Sequence, residues 1–244
     1  MSDTADGSER EAARSPGKGL DRRRILRAAV AFIDEHGLHA LTMRRLGAFL
    51  EVEAMALYRY VPSREDLLDG VVDTVLEALH HDPEVHLHAK HGWQNYLQRL
   101  AHGIRRIALE HPAVFPLMAT RPPAAPWIRP PLRSLRWLES FFSVMADAGF
   151  SDEDAVIAYR AYTTFLLGHL LLEVSHGTGA LPGDDDDSDA APVGRDRDVG
   201  LGDYPHLRRL EPLLDQDETV REFEEALESL LDRLELLQRR SGRR

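Results

Sequence analysis

From residue 21 to residue 238 the apolar side chains recur at intervals of three and four, and no stretch shows the strict alternation of a half-buried strand. That pattern commits the chain to an all-α fold. A repeat near 3.6 residues gathers apolar groups on one face of a helix, whereas a sheet requires a repeat of two.

Capping residues and breakers divide the pattern into helices. Ile25, Ala29, Phe32 and Ile33 share a face over about 21–36, and Gly37 stops that helix. Thr42 caps a short second helix carrying Met43, Leu46, Phe49 and Leu50, and a third follows over about 54–60. Pro62 interrupts, and Ser63 with Asp66 three residues on opens a fourth helix, striped by Leu67, Leu68, Val71, Val72, Val75, Leu76 and Leu79. Trp93, Tyr96, Leu97, Leu100, Ile104 and Ile107 mark a fifth, ending near Pro112. Five prolines keep 121–131 from being helical throughout. Further helices are expected over 132–148, 152–176 and 218–238, the second apolar almost all round at 165–172. Residues 1–18 read as a disordered tail, and 177–205, with its run of aspartates, as a flexible acidic loop.

The absence of cysteine excludes disulfides, thiolate metal sites and cysteine nucleophiles. No uninterrupted apolar run reaches the ~18 residues of a membrane span, and the polar, mixed-charge N-terminus is no signal peptide, so a cytoplasmic protein is expected. A net charge of −11 argues against binding phosphates until its distribution is considered. Residues 18–64 hold nine basic against five acidic side chains, whereas 65–244 hold 19 basic against 32 acidic. A small basic module is joined to an acidic body.

The run 41–61, LTMRRLGAFLEVEAMALYRYV, has a capped short helix, a three-residue turn and a second short helix, as a helix-turn-helix requires. Leu46, Leu50, Val52, Leu57 and Val61 would hold the two helices together. Ala54, Met55, Tyr58, Arg59 and Tyr60 would then face solvent, where hydroxyls reach phosphates and arginine reaches guanine. The plainer alternative is a helical hairpin with surface aromatics.

Over Asp21–Leu79 the chain resembles the N-terminal domain of the tetracycline-repressor family, through AAVAFIDEHG, LTMRRLG and ALYRYVPSREDLL. The resemblance implies a homodimeric DNA-binding regulator, by default a repressor acting at a near-palindromic operator. It places Arg44, Ala54, Met55, Ala56, Tyr58 and Arg59 toward the major groove, and Thr42, Tyr58, Tyr60 and Arg64 near phosphates. Glu51 departs from the family, which usually has glycine in the turn, and Glu53 sets an acid close to the groove.

The C-terminal half is also similar, through Trp93-Gln94, Thr120-Arg121-Pro122, Ala148-Gly149-Phe150-Ser151 and Phe165–Gly168. It implies an all-helical domain for effector binding and dimerisation. The expected organisation is therefore a tail at 1–18, a DNA-binding domain at 19–79 and an effector domain at 80–240. The resemblance suggests an effector pocket containing His81, Trp93, Ile104, Leu117, Thr120, Arg121, Phe165, His169 and Leu172. Phe115, Met118, Trp137 and Phe141 are further apolar candidates. In the family's namesake the drug is bound as a magnesium chelate held by a histidine and a glutamate, and Leu117 and Leu172 stand at those places. Glu173 is one residue, or ~100° of helix, away. Leucine cannot ligate magnesium, so no metal or other cofactor is expected, and the effector is expected to be largely apolar.

Two other readings compete. His80, His81, His86, His88 and His91 fall within twelve residues, which would suit zinc or nickel. Their spacing matches no common hydrolytic site, and a polar interhelical connection is the simpler account. His169, on an apolar helix, reads as a core or pocket histidine rather than a ligand. No nucleophile elbow, P-loop or dinucleotide fingerprint is present, so an enzyme is not expected. A helical interaction module without DNA binding would use 218–238 as a partner helix, but a self-made four-helix bundle with 152–176 serves that stripe equally well.

Overall fold

In the computed structural model the described residues are 19–82, 85, 92–121, 128, 134–178 and 203–242. The expected tail, most of the acidic loop and the histidines at 86, 88 and 91 lie outside them. All regular structure among them is helical.

Side-chain caps open the first helices. Asp21 accepts from the Arg24 amide at 2.7 Å to start α1 (Arg22–His36). Thr42 accepts from Arg45 at 3.2 Å to start α2 (Met43–Phe49), and Ser63 accepts from Asp66 at 3.0 Å to start α4 (Arg64–His80). Each such cap contributes ~1 kcal/mol. Between α2 and α4 lies α3 (Ala54–Leu57), shorter than the expected 54–60 because residues 58–60 close as a turn on Leu57. α1 packs on α2 and on α4, burying Ile25, Ala29, Phe32 and Ile33 as the stripe predicts.

α4 is shared, since beyond α1 it also contacts α5 (Trp93–Glu110) and α6 (Phe115–Thr120). α6 was not expected; it carries Pro116 in its first turn, where a missing N–H costs nothing. Then come α7 (Leu135–Asp147), α8 (Asp152–Thr178), α9 (Pro205–Leu214) and α10 (Thr219–Ser241). α8 is the central rod, packed on α5, α6, α7 and α10. Over Asp152–Ser175 it has the length and mean hydropathy (1.3) of a membrane span. In this fold Tyr159, Tyr162, Leu166, Leu170 and Val174 of that same helix are core residues.

α9 was likewise unexpected. Every residue in it is exposed, including Leu207, Leu210, Leu213 and Leu214, so among the described residues its apolar side has no cover. Ile157 and Leu172 on α8, and Val220 and Leu236 on α10, are exposed as well.

Candidate nucleic-acid interface and apolar chamber

The turn between α2 and α3 is built on two backbone constraints. Gly47 lies where the helices meet, and a Cβ there would sit 2.9 Å from the Val52 carbonyl oxygen and 3.2 Å from the Ala54 nitrogen. The Val52 amide donates to the Gly47 carbonyl at 2.9 Å, closing the turn. Glu51 has φ of 58°, in the left-handed region that favours glycine. Four of the five expected contacts between the helices, Leu46, Leu50, Leu57 and Val61, are buried, and Val52 is half-buried.

The outer face holds the residues expected to meet DNA. Met55 is 74% exposed, and Arg44, Tyr58, Arg59, Tyr60 and Arg64 are exposed beside it. Ala54 and Ala56 are half-buried at its base, and Thr42 is exposed with its hydroxyl oxygen engaged as the cap. Among the described residues Arg44, Arg59 and Arg64 have no carboxylate partner, so their charge is available to an incoming anion. The segment is pinned from behind by Arg22, which donates to the Tyr60 carbonyl and to Asp66, each at 2.9 Å. The bond to Asp66 raises the Arg22 pKa further. Glu51 and Glu53 are exposed at the edge of the same surface.

A second feature lies inside the bundle. Leu76 and Leu79 of α4, Leu100, Ile104 and Ile107 of α5, Phe115 and Met118 of α6, and Trp137 and Phe141 of α7 surround a chamber closed by Tyr159, Tyr162, Thr163, Leu166 and Leu167 of α8. It holds about 840 Å³ of empty space counting its open mouth. The centre of a water-sized sphere moves through only about 80 Å³ of it, so the chamber is narrow. The Tyr162 hydroxyl donates to the Leu97 carbonyl at 2.6 Å, and Tyr159 and Thr163 lie one helical turn apart on the same wall. Burial pushes the Tyr159 phenol up to about 12 and raises Tyr162 too, so both are neutral near pH 7.

Of the nine residues expected to form the pocket, Ile104 lines this chamber and the other eight do not. Trp93 is buried edge-on against Phe150, with ring centroids 5.2 Å apart, and Leu117 is buried outside the lining. Phe165 and His169 pack on Phe223 of α10 at 5.9 and 5.3 Å. Leu172 is 60% exposed. The His81 ring is exposed and hydrogen-bonds the Glu77 carbonyl, and Thr120 donates to the Pro116 carbonyl. Arg121 pairs with Glu65 and Asp69. For the three on α8 the physical reason is helical phase: 165, 169 and 172 lie on one face, and 159, 162, 163 and 166 on another. The further apolar candidates Phe115, Met118, Trp137 and Phe141 do line the chamber. Tyr159, Tyr162 and Thr163 were missed, although polar-tipped residues repeating by three and four along an apolar helix were a usable signal. Glu173 is not free to hold a metal, since it accepts from Arg105 Nε at 3.1 Å.

Comparison with known proteins matches both halves. Residues 25–71 fit the model of bacterial regulatory proteins of the tetR family, and 87–237 fit the tetracyclin repressor-like C-terminal domain. The class D tetracycline repressor protein of Escherichia coli is 31% identical over 87% of this chain and 88% of its own. An HTH-type transcriptional regulator of Saccharopolyspora erythraea is 31% identical over 63% of this chain, a match spanning 61% of that protein. Among solved structures, the Streptomyces coelicolor TetR family protein ActR in complex with actinorhodin superimposes with a TM-score of 0.64 at 25% identity. It covers 89% of this chain and 97% of that one.

Proposed function

The chain belongs to the tetR family of DNA-binding transcriptional regulators, and from that premise we propose that it is a dimeric repressor released from its operator when a small, largely apolar molecule occupies the α4–α8 chamber. The observation that carries this reading is the pairing, in one chain, of an exposed cationic helix-turn-helix with a separate enclosed apolar chamber, joined by the shared helix α4.

The proposed division is 19–79 for the DNA-binding domain and 80–240 for the effector and dimerisation domain. Arg44 and Arg59 read bases, and Thr42, Tyr58, Tyr60 and Arg64 hold phosphates, with Ala54, Met55 and Ala56 against the groove floor. The dimer forms along α8 and α10, where Ile157, Leu172, Val220 and Leu236 are exposed, and α9 supplies a further uncovered apolar side. Two such modules meet half-sites one helical turn, ~34–36 Å, apart on a near-palindromic operator. A DNA-bound role places the protein in the bacterial cytoplasm.

Support for an effector other than a magnesium chelate is chemical. Leu117 and Leu172 offer no ligand atoms, Glu173 is engaged by Arg105, and among the described residues the chamber wall contains no carboxylate or imidazole. ActR is solved with actinorhodin, an instance in a structural neighbour of a small molecule held by this fold.

A gel shift with double-stranded DNA from beside the protein's own gene tests the reading. A salt-sensitive shift that outcompetes unrelated DNA is expected. Equal binding to every sequence would refute it.

A further inference from the structure

We propose that Arg22 of α1 is a positioning residue for operator recognition: without touching DNA it fixes the end of the α3 segment and so aims Tyr58, Arg59 and Tyr60 at the groove. The inference deepens the DNA-binding reading above and rests on it.

The first argument is the weakness of α3. It has four residues, Ala54–Leu57, and Glu53 at its start makes no side-chain cap. A single helical turn fixes several backbone angles for very few hydrogen bonds, so such a segment does not hold its shape alone. Leu57 and Val61 are fully buried and anchor its inner side. Apolar burial is non-directional, and it leaves the tilt of the outer face to polar contacts. At the near end the Val52 amide makes that contact with the Gly47 carbonyl.

Arg22 supplies it at the far end. Its Nη1 donates to the Tyr60 carbonyl and to Asp66 Oδ2, each at 2.9 Å. Nη2 lies 3.5 Å from Asp66 Oδ1, so one planar guanidinium spans both partners. Asp66 is itself fixed, because its amide donates to the Ser63 hydroxyl that caps α4. One side chain on α1 thereby joins the end of the recognition segment to the first turn of α4. The carbonyl it holds belongs to the residue directly after Arg59.

Magnitude separates holding the fold from aiming the reader. The Arg22 and Asp66 side chains are 44% and 39% exposed. An exposed ion pair contributes little to overall stability. A small tilt of α3, by contrast, misplaces Arg59, whose paired bonds to a guanine edge depend on alignment. The Asp66 carboxylate also engages the charge that Arg22 would otherwise offer to a phosphate.

Competition gel shifts and thermal unfolding of the full-length protein test the proposal. The probes are double-stranded DNA from beside the protein's own gene and unrelated DNA of equal length, over a range of salt concentrations. Arg22→Met keeps the length of the side chain and removes every donor. It is expected to lower the preference for the gene's own DNA about tenfold, with affinity for unrelated DNA, its salt slope and the melting temperature nearly unchanged. Arg59→Ala is expected to cost severalfold less in the Arg22→Met background than in the wild type, because both changes disable one contact. Arg22→Lys keeps the charge but lacks the planar fork, and a severalfold loss of preference is expected. The lysine variant remains decisive if the methionine variant fails to fold. Unchanged preference, a salt slope lowered by about one, a loss that tracks a large fall in melting temperature, or independent effects of Arg22→Met and Arg59→Ala would each overturn the proposal. A wild type that binds both DNAs equally refutes the DNA-binding reading itself, whereas a selective wild type with unaffected variants refutes only the role of Arg22.

Discussion

Arg121, at the end of α6, donates to the Glu65 carboxylate at 2.8 Å and also pairs with Asp69, so one guanidinium ties a chamber wall to the first two turns of α4. Those turns follow directly on the DNA-facing segment that ends at Val61. Phe115 and Met118, which line the chamber, lie within six residues of Arg121 on the same short helix. Replacing Arg121 with Ala is therefore expected to cost ~1–3 kcal/mol of stability, because its partly buried partner Asp69 loses a strong donor. It is also expected to weaken the effect of a chamber ligand on operator affinity. Thermal unfolding, together with gel shifts with and without an apolar aromatic probe such as fluorene, checks both. An unchanged melting temperature would show that solvent already screens the pair.

Gly47→Ala should separate α2 from α3. The new Cβ meets backbone atoms at 2.9 and 3.2 Å, and these cannot rotate aside as a side chain would. A loss of ~1–3 kcal/mol is expected for such overpacking, with operator affinity falling at least about tenfold as the recognition face shifts. Chemical denaturation and gel shift read the two effects.

Glu51→Gly should act in the opposite direction. It relieves a non-glycine residue at φ of 58° and removes an acid from the edge of the DNA-facing surface. A stabilisation of ~1 kcal/mol is expected, together with tighter binding to DNA of any sequence. A lowered melting temperature would mean that the carboxylate makes a compensating contact.

Arg59 and Arg64 should respond differently to truncation. Arg59→Ala is expected to cost ~1–3 kcal/mol on the preferred operator and to relax preference at one base pair. Arg64→Ala is expected to weaken all sequences alike and to lower the salt slope by about one. Competition gel shifts over a range of salt concentrations distinguish them, and unchanged affinity in both variants would remove the groove assignment.

The N-terminal helices were legible because their information is local. Thr42 and Ser63 cap as expected, and the stripe from Ile25 to Ile33 can be buried on only one side. The turn was legible for the same reason: the glutamate at 51 stands out against the expected glycine, and its backbone adopts the conformation glycine would adopt without strain. α6 and α9 were not legible. Each contains a proline, which argues against a helix interior, yet Pro116 occupies a first turn where it is harmless, and α9 accommodates Pro212 within its length. The chamber was legible in part. Large apolar residues such as Phe115, Trp137 and Phe141 were recognisable as wall candidates, but which face of α8 looks inward depends on packing against α5, α6, α7 and α10 together. A resemblance carries residue positions across, and it does not carry the rotation of a helix whose apolar surface extends nearly all the way round.

That rotation gives α8 two audiences. Tyr159, Thr163 and Leu166 look into the chamber, while Ile157 and Leu172 look outward from the same continuous rod. In the proposed dimer the outward rail of one rod lies against its twin, so a guest that rolls or shifts a rod also moves the seam. The two chambers then share a thermodynamic linkage, and the first occupancy alters the free energy of the second. Ligand titrations of such a molecule follow a two-site binding polynomial, whose Hill slope reports how rigidly the rods are joined.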